Sequence, residues 1–301
     1  MLSQTSINLK GGKLQSDDVF PNTYEDTVEN VLKMKGRKGY EKMIFSGGKL
    51  VNIVSKNYGH LTNENFFLRV EEELINAGLH NYLKRSINRN DCSFAVDYIL
   101  NDDSYEVKVN GNVNDKIKPM LRFTNSYDGS AKTSGHFGFF REVCSNGLHI
   151  ATMKVSFNQK HTKGVNEIVI PKIGEMVGEF MSNEFYTIEQ KFEVLSQTKI
   201  TDVQAFVRDI CEKTDVLKFH DLKGWQSKEK SEKIETLPPA KNATIVIDSI
   251  IRESLLLNTE PNLWLGYNAF NEILHNGFVK SFDIQKSFDA KIFETVLEMA
   301  N

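Results

Sequence analysis

KPMLRFTNSYDGSAKTSGHFGFFR, residues 118–141, decides how the chain is read. Up to Ser126 its side chains alternate: Leu121 and Phe123 fall on one side of an extended strand, Met120, Arg122 and Thr124 on the other. Asp128-Gly129 then gives a turn signal, because glycine accepts positive φ without a steric penalty. A second apolar run, HFGFFREVC, starts at His136. Two alternating runs joined by a short turn make an antiparallel pair, so the centre of the chain is predicted to be a hairpin-built sheet.

The pattern extends in both directions. Ser145-Asn146-Gly147 reads as the next tight turn, with LHIATMKVSF returning as a strand. Upstream, SFAVDYIL and SYEVKV flank Asn101-Asp102-Asp103 as a hairpin. Before them, Thr62 is placed to cap the helix NENFFLRVEEELINAG, whose Phe66, Phe67, Val70 and Leu74 recur at helical spacing. Residues 23–44 read as a short helix ending near Gly36, and KLVNIV as a strand leaving Gly47-Gly48. Beyond Gly164 helical spacing takes over, starting with Ile173, Met176, Val177 and Phe180.

These elements predict an α+β fold: a central antiparallel β-sheet meander covered by a helix, followed by a mainly helical C-terminal region. The expected divisions are a peripheral segment (1–45), a mixed α+β sheet domain (46–165), a helical region (166–222), a linker rich in charge and proline (223–242) and C-terminal helices (243–301).

At 301 residues and 40% hydrophobic content the chain can build a core without a disulfide or structural metal. Its three cysteines, Cys92, Cys144 and Cys211, form no CxxC pair, which fits a reducing compartment. No signal pattern or membrane-length apolar run is present, so a cytoplasmic protein without a membrane partner is expected. The overall charge of −3 does not suggest a nucleic-acid binder, but its distribution does. Residues 116–163 carry eight Lys/Arg against Asp128 and Glu142, a balance of +6 that leaves −9 elsewhere.

Four kinds of chemistry compete for this region. His136, Cys144, His149 and His161 are zinc-type ligands, but none forms the close pair that structural zinc needs, so neither metal nor cofactor is expected. Cys144 near histidines would suit a thiolate nucleophile, although free cysteine is more often a small buried apolar residue. Asp97 followed by Glu106 and Lys108 resembles the D…ExK pattern of metal-dependent nucleases, in which carboxylates hold Mg²⁺ and lysine positions water. The basic segment also holds Phe123, Tyr127, Phe137, Phe139, Phe140 and Phe157, a mixture that suits single-stranded nucleic acid. The competing reading makes those rings the core face and the charges their solvated counterparts.

Three stretches together carry a family resemblance: Asn125 to Ser130, Phe140 to Leu148, and Lys160-His161-Thr162. Their order and spacing resemble the phage/plasmid-like protein family known as domain of unknown function 932. NIVSKNYGHLTNENFFLRV and LWLGYNAFNEILH are similar to its flanking elements, so the resemblance covers roughly residues 45–280. It implies an origin in a bacteriophage, plasmid or other mobile element, and a bacterial host cytoplasm, but no activity. It highlights Arg141, Cys144, Asn146, His161 and Thr162 without assigning roles.

The expected function is binding or annealing of single-stranded DNA, without enzymatic activity. Arg122, Lys132, Arg141, Lys154, Lys160, His161 and Lys163 would contact phosphate, Tyr127 or an exposed phenylalanine would stack a base, and a homo-oligomer would follow. The alternative is an anti-defence protein that binds a host protein, and the third is a nuclease at Asp97, Glu106 and Lys108.

Overall fold

The computed structural model describes residues 20–90, 92–101, 107–109, 115–141, 146–148, 156–179, 185–221, 237–274 and 281–300. Glu106, Cys144, His149, Lys154, Phe180 and most of the expected linker lie outside these residues. Among the described residues there are two antiparallel sheets and eight helices, which is the α+β architecture expected.

The first sheet is small. Strands β1 (Thr23–Thr27), β2 (Lys42–Ser46) and β3 (Lys49–Val54) pair in chain order, and Gly47 and Gly48 turn at φ of 57° and 76°. The helix expected within 23–44 shrinks to α1 (Val28–Leu32), which ends where Lys33 adopts φ of 56°. Helix α2 (Asn63–Asn76) follows as its sequence predicts. The Thr62 side chain accepts from the Asn65 N–H, and Phe66, Phe67, Val70 and Leu74 are buried.

The second sheet is the body of the protein. Its strands are β4 (Tyr82–Asn90), β5 (Ser93–Leu100), β6 (Val107–Lys108), β7 (Lys116–Ser126), β8 (Thr133–Arg141), β9 (Asn146–Leu148) and β10 (Ser156–Gln159). The spatial order is β10-β8-β7-β5-β4, with β6 beside β7 and β9 beside β8. The 118–141 hairpin is therefore its centre, with Leu121 opposite Phe137 and Phe123 opposite Gly135.

Three local expectations change. Strand β4, YLKRSINRN, gives little apolar alternation and was not anticipated. β5 pairs with β4 and β7 rather than with β6, so residues 101–103 do not join a two-stranded hairpin. Asn146 and Gly147 are not the turn: they pair with Arg141 and Phe140 as part of β9.

One face of the main sheet carries the apolar set Val96, Tyr98, Leu121, Phe123, Phe137 and Phe139, all fully buried. Helix α2 covers part of it, with the Phe66 ring centroid 6.1 Å from that of Phe123. The helices α3 (Val165–Glu179), α4 (Phe185–Gln197) and α5 (Val203–Thr214) continue the cover. So do α6 (Lys241–Leu256), α7 (Leu263–Ile273) and α8 (Phe282–Glu298). Phe139 meets Phe192 of α4 at 4.9 Å, and Phe192 meets Trp264 of α7 at 4.5 Å. A single hydrophobic cluster consequently runs from Leu61 to Val296 and includes residues from the regions expected at 46–165, 166–222 and 243–301.

Candidate functional site

The strand registers sort the basic residues into interior and surface sets. On the sheet face opposite the helices, directly opposed positions place Arg85, Asp97, Arg122, His136 and Ser156 in one row across five strands. Arg122 is 1% exposed and Asp97 fully buried. The Arg122 guanidinium donates to both Asp97 oxygens, from Nε and from Nη2, the latter at 2.6 Å. Arg85 Nε donates to the same carboxylate at 3.2 Å. Burial pulls the Arg85 pKa down, and Asp97 opposes that shift.

Arg141 lies on the helix-covered face and is completely buried. It donates in bidentate fashion to Asp115 at 2.6 and 2.9 Å and to Glu253 of α6 at 2.5 Å. The Trp264 indole N–H reaches the same Asp115 at 3.0 Å. Tyr127 is also fully buried, its hydroxyl accepting the Asn63 N–H at 2.7 Å.

These positions correct the phosphate-contact roles expected for Arg122 and Arg141 and the stacking role expected for Tyr127. A buried guanidinium held by carboxylates is an internal ion pair, with no face open to a phosphate. The same holds for the rings: Phe123, Phe137, Phe139 and Phe157 are core and Phe140 is half-buried. The core-face reading of the phenylalanines is the one the structure adopts.

The nuclease constellation is not assembled by the described residues. Asp97 lies opposite Arg122 on β7, and Lys108 lies opposite Lys116, on the same edge of that strand. Six residues along β7 separate the two positions by about 20 Å. The Asp97 carboxylate is, besides, already shared between two guanidiniums.

What does converge is a set of loop residues at the turn end of the sheet. Gln159 pairs with Thr133, so the exposed Lys160 leaves β10 beside the exposed Lys132 at the start of β8. The chain then crosses to the loop after β3. The Lys163 N–H donates to the Asn57 carbonyl at 2.8 Å, and the Gly59 N–H donates to the His161 carbonyl at 3.3 Å. Lys163 is exposed, as is Lys56 one residue before Asn57. Lys286 of α8 comes near enough to Lys132 to feel its charge. Its pKa falls to about 8, first through burial and then through Lys132, against the opposing Asp283. Between these lysines the half-buried Tyr58 and His161 rings stack at 5.2 Å and 15°.

Beneath the lysines runs a continuous polar chain. His60 Nε2 bonds Thr23 Oγ1 at 3.1 Å, and Thr23 bonds the Tyr127 hydroxyl. Asn63, whose N–H reaches Tyr127, accepts from Asn125 Nδ2 at 2.8 Å. Asn125 accepts from Thr133 Oγ1 at 2.9 Å, and Thr133 Oγ1 meets His161 Nε2 at 3.3 Å. The Thr133 proton is committed to Asn125, so Nε2 of His161 carries the hydrogen that reaches Thr133. His161 Nδ1 is then an acceptor, and this atom, Tyr58 Oη and the Asn63 Nδ2 donor are all buried without a partner.

The electrostatics follow from this burial. Desolvation lowers the His161 pKa to about 4, with a backbone hydrogen bond at Gly59 opposing the shift and His60 adding to it. His60 is lowered too, mainly by burial. Burial raises Tyr127 to about 12. Both imidazoles are therefore neutral near neutral pH, and the positive charge of the rim belongs to lysine.

Of the expected site residues, Lys132, Lys160, His161 and Lys163 are brought together, whereas Arg122, Arg141 and Tyr127 are interior. Sequence reasoning missed Tyr58, His60, Asn63 and Lys286. A signal existed for the first three: NYGHLTN brings a tyrosine, a histidine and an asparagine to the entry of a capped helix. Nothing local marks Lys286, which reaches the site from the last helix.

Three comparisons with known proteins bear on the chain. A family model described as Domain of unknown function (DUF932) matches residues 51–286. No curated protein matches, and no solved structure matches. The matched span includes Tyr58, His60, Asn63, Asn125, Tyr127, Thr133 and His161, so almost all of the polar chain lies within it.

Proposed function

The chain belongs to the DUF932 family, and from that premise we propose that it binds single-stranded DNA in the replication or recombination of a mobile element. Binding uses the lysine rim at the turn end of the main sheet, not a face of the sheet. One observation carries this reading: strand register and loop hydrogen bonds gather the exposed Lys132, Lys160 and Lys163 around the half-buried Tyr58–His161 stack. Lysine ammoniums act as point charges for phosphate, and a partly exposed flat ring gives a base somewhere to stack. In this reading Tyr58 takes the role that sequence reasoning gave to Tyr127. The neutral His161 supports the Tyr58 ring instead of contributing charge.

Fluorescence anisotropy with a labelled single-stranded oligonucleotide tests the proposal at about 50 mM salt, where counterion release most favours binding. The Lys132→Ala/Lys160→Ala/Lys163→Ala variant should bind more weakly. Its plot of log affinity against log salt should flatten by about 2, the share of three phosphate contacts on a single strand. No binding by the unmutated protein, or a triple variant with unchanged affinity and slope, would overturn the reading.

A further inference from the structure

Helix α6 turns Ala243, Val246, Ile247, Ser249, Ile250, Glu253 and Ser254 inward. Its outer side presents Ile245, Asp248, Ile251, Arg252, Leu255 and Leu256. Leu255 is 77% exposed and Leu256 67%, and the last five of these residues line one shallow, mostly apolar surface. Single exposed leucines are ordinary, but a contiguous apolar strip along one helix marks a contact surface.

The order of residues along that strip identifies its partner. Ile245, Asp248, Arg252 and Leu255 are spaced three, four and three apart, the spacing of a helix–helix seam. The spacing is symmetric about residue 250. Against a second copy running antiparallel, Ile245 meets Leu255 and Asp248 meets Arg252, and the twofold axis generates each contact twice. Ile251, beside the axis, meets its own counterpart. A parallel alignment would instead set Asp248 against Asp248 and Arg252 against Arg252, which like charges oppose. Arg252 is already steadied by Glu272 of α7, whose oxygens lie 3.1 and 3.4 Å from Nη2. A guanidinium has five donors, which leaves capacity for a facing carboxylate.

We infer that the outer face of α6 is a homodimer surface, occupied by α6 of a second copy in antiparallel alignment. From Ile245 to Leu255 the seam is about 15 Å long, so the interface is small and the dimer weak, with a dissociation constant on the order of 10 µM.

Sedimentation of the full chain between about 1 and 200 µM should show concentration-dependent dimerisation, and Leu255→Asp should weaken it by about 30-fold or more. The charge pattern gives the decisive test. Asp248→Arg and Arg252→Asp should each be monomeric at concentrations where the unmutated protein is dimeric. Mixing the two should restore a dimer, because every seam pair is then complementary. Circular dichroism on each variant confirms folding, since these side chains are all exposed. A monomer at every concentration, a dimer indifferent to Leu255→Asp, or a mixture that stays monomeric would each overturn the inference.

Discussion

Replacing Arg141 with alanine separates an internal ion pair from a ligand contact. In the structure Arg141 neutralises two buried carboxylates, Asp115 and Glu253, and packs 5.6 Å from the Trp264 ring centroid. Removing it leaves both anions without their cation inside the protein. Breaking a buried pair costs about 3–5 kcal/mol, and here one substitution breaks two. Against a total stability of roughly 5–15 kcal/mol, Arg141→Ala should be barely folded at neutral pH. A loss of even 4 kcal/mol, at a urea slope of about 3 kcal/mol/M, moves the denaturation midpoint down by about 1.3 M. Urea titration followed by circular dichroism at pH 7 measures the midpoint. An unchanged midpoint at pH 7, accompanied by lost oligonucleotide binding, would refute the buried role and return Arg141 to the surface.

Two further outcomes follow from the same structure. His161 has its pKa lowered from 6.5 to about 4, so its unfolded form takes up a proton first. Stability should be full above pH 6.5 and decline by up to about 3 kcal/mol as pH falls to 4. Thermal melts of the unmutated protein and His161→Gln should show a steeper decline in the former, the remainder in the variant coming from His60, and parallel pH profiles would contradict the assignment. Gly135→Ala places a methyl group 2.5 Å from the Phe157 ring and 2.8 Å from that of Phe123. Overpacking of this kind costs about 1–3 kcal/mol, so a Tm within error of the unmutated protein would show that the rings have more room than the structure gives them.

Legibility varied with how local the determining interactions are. The hairpin of β7 and β8 is visible in the sequence because a period of two and an Asp-Gly turn lie within twenty-four residues. Helix α2 is visible because Thr62 caps it and four apolar residues share one side. Alternation also assigned Arg122 and Phe123 to opposite faces correctly. What alternation omits is whether the second face meets water, and here that face is lined by buried Ala95, Asp97, Met120 and Arg122. Strand β4 escaped notice because Lys84, Arg85 and Ser86 dilute its apolar positions, so its pairing depends on β5 rather than on its own pattern. The candidate site was legible only in fragments. Thr23, His60, Asn125 and His161 belong to four separate segments, and no short-range signal announces that they share one hydrogen-bond chain.

Synthesis proceeds from the N-terminus, and Arg141 leaves the ribosome 112 residues ahead of Glu253. At roughly 5–20 residues per second that interval is about 6–22 s. Throughout it the nascent sheet holds a cation with only one of its two anions. Phe139 still awaits Phe192 and Trp264, so a phenylalanine face waits for its cover with β4 as an open edge. A chain in that state exposes apolar surface of the kind that holdase chaperones cover. Depleting such chaperones should cost the cell this protein during translation, while molecules already folded survive.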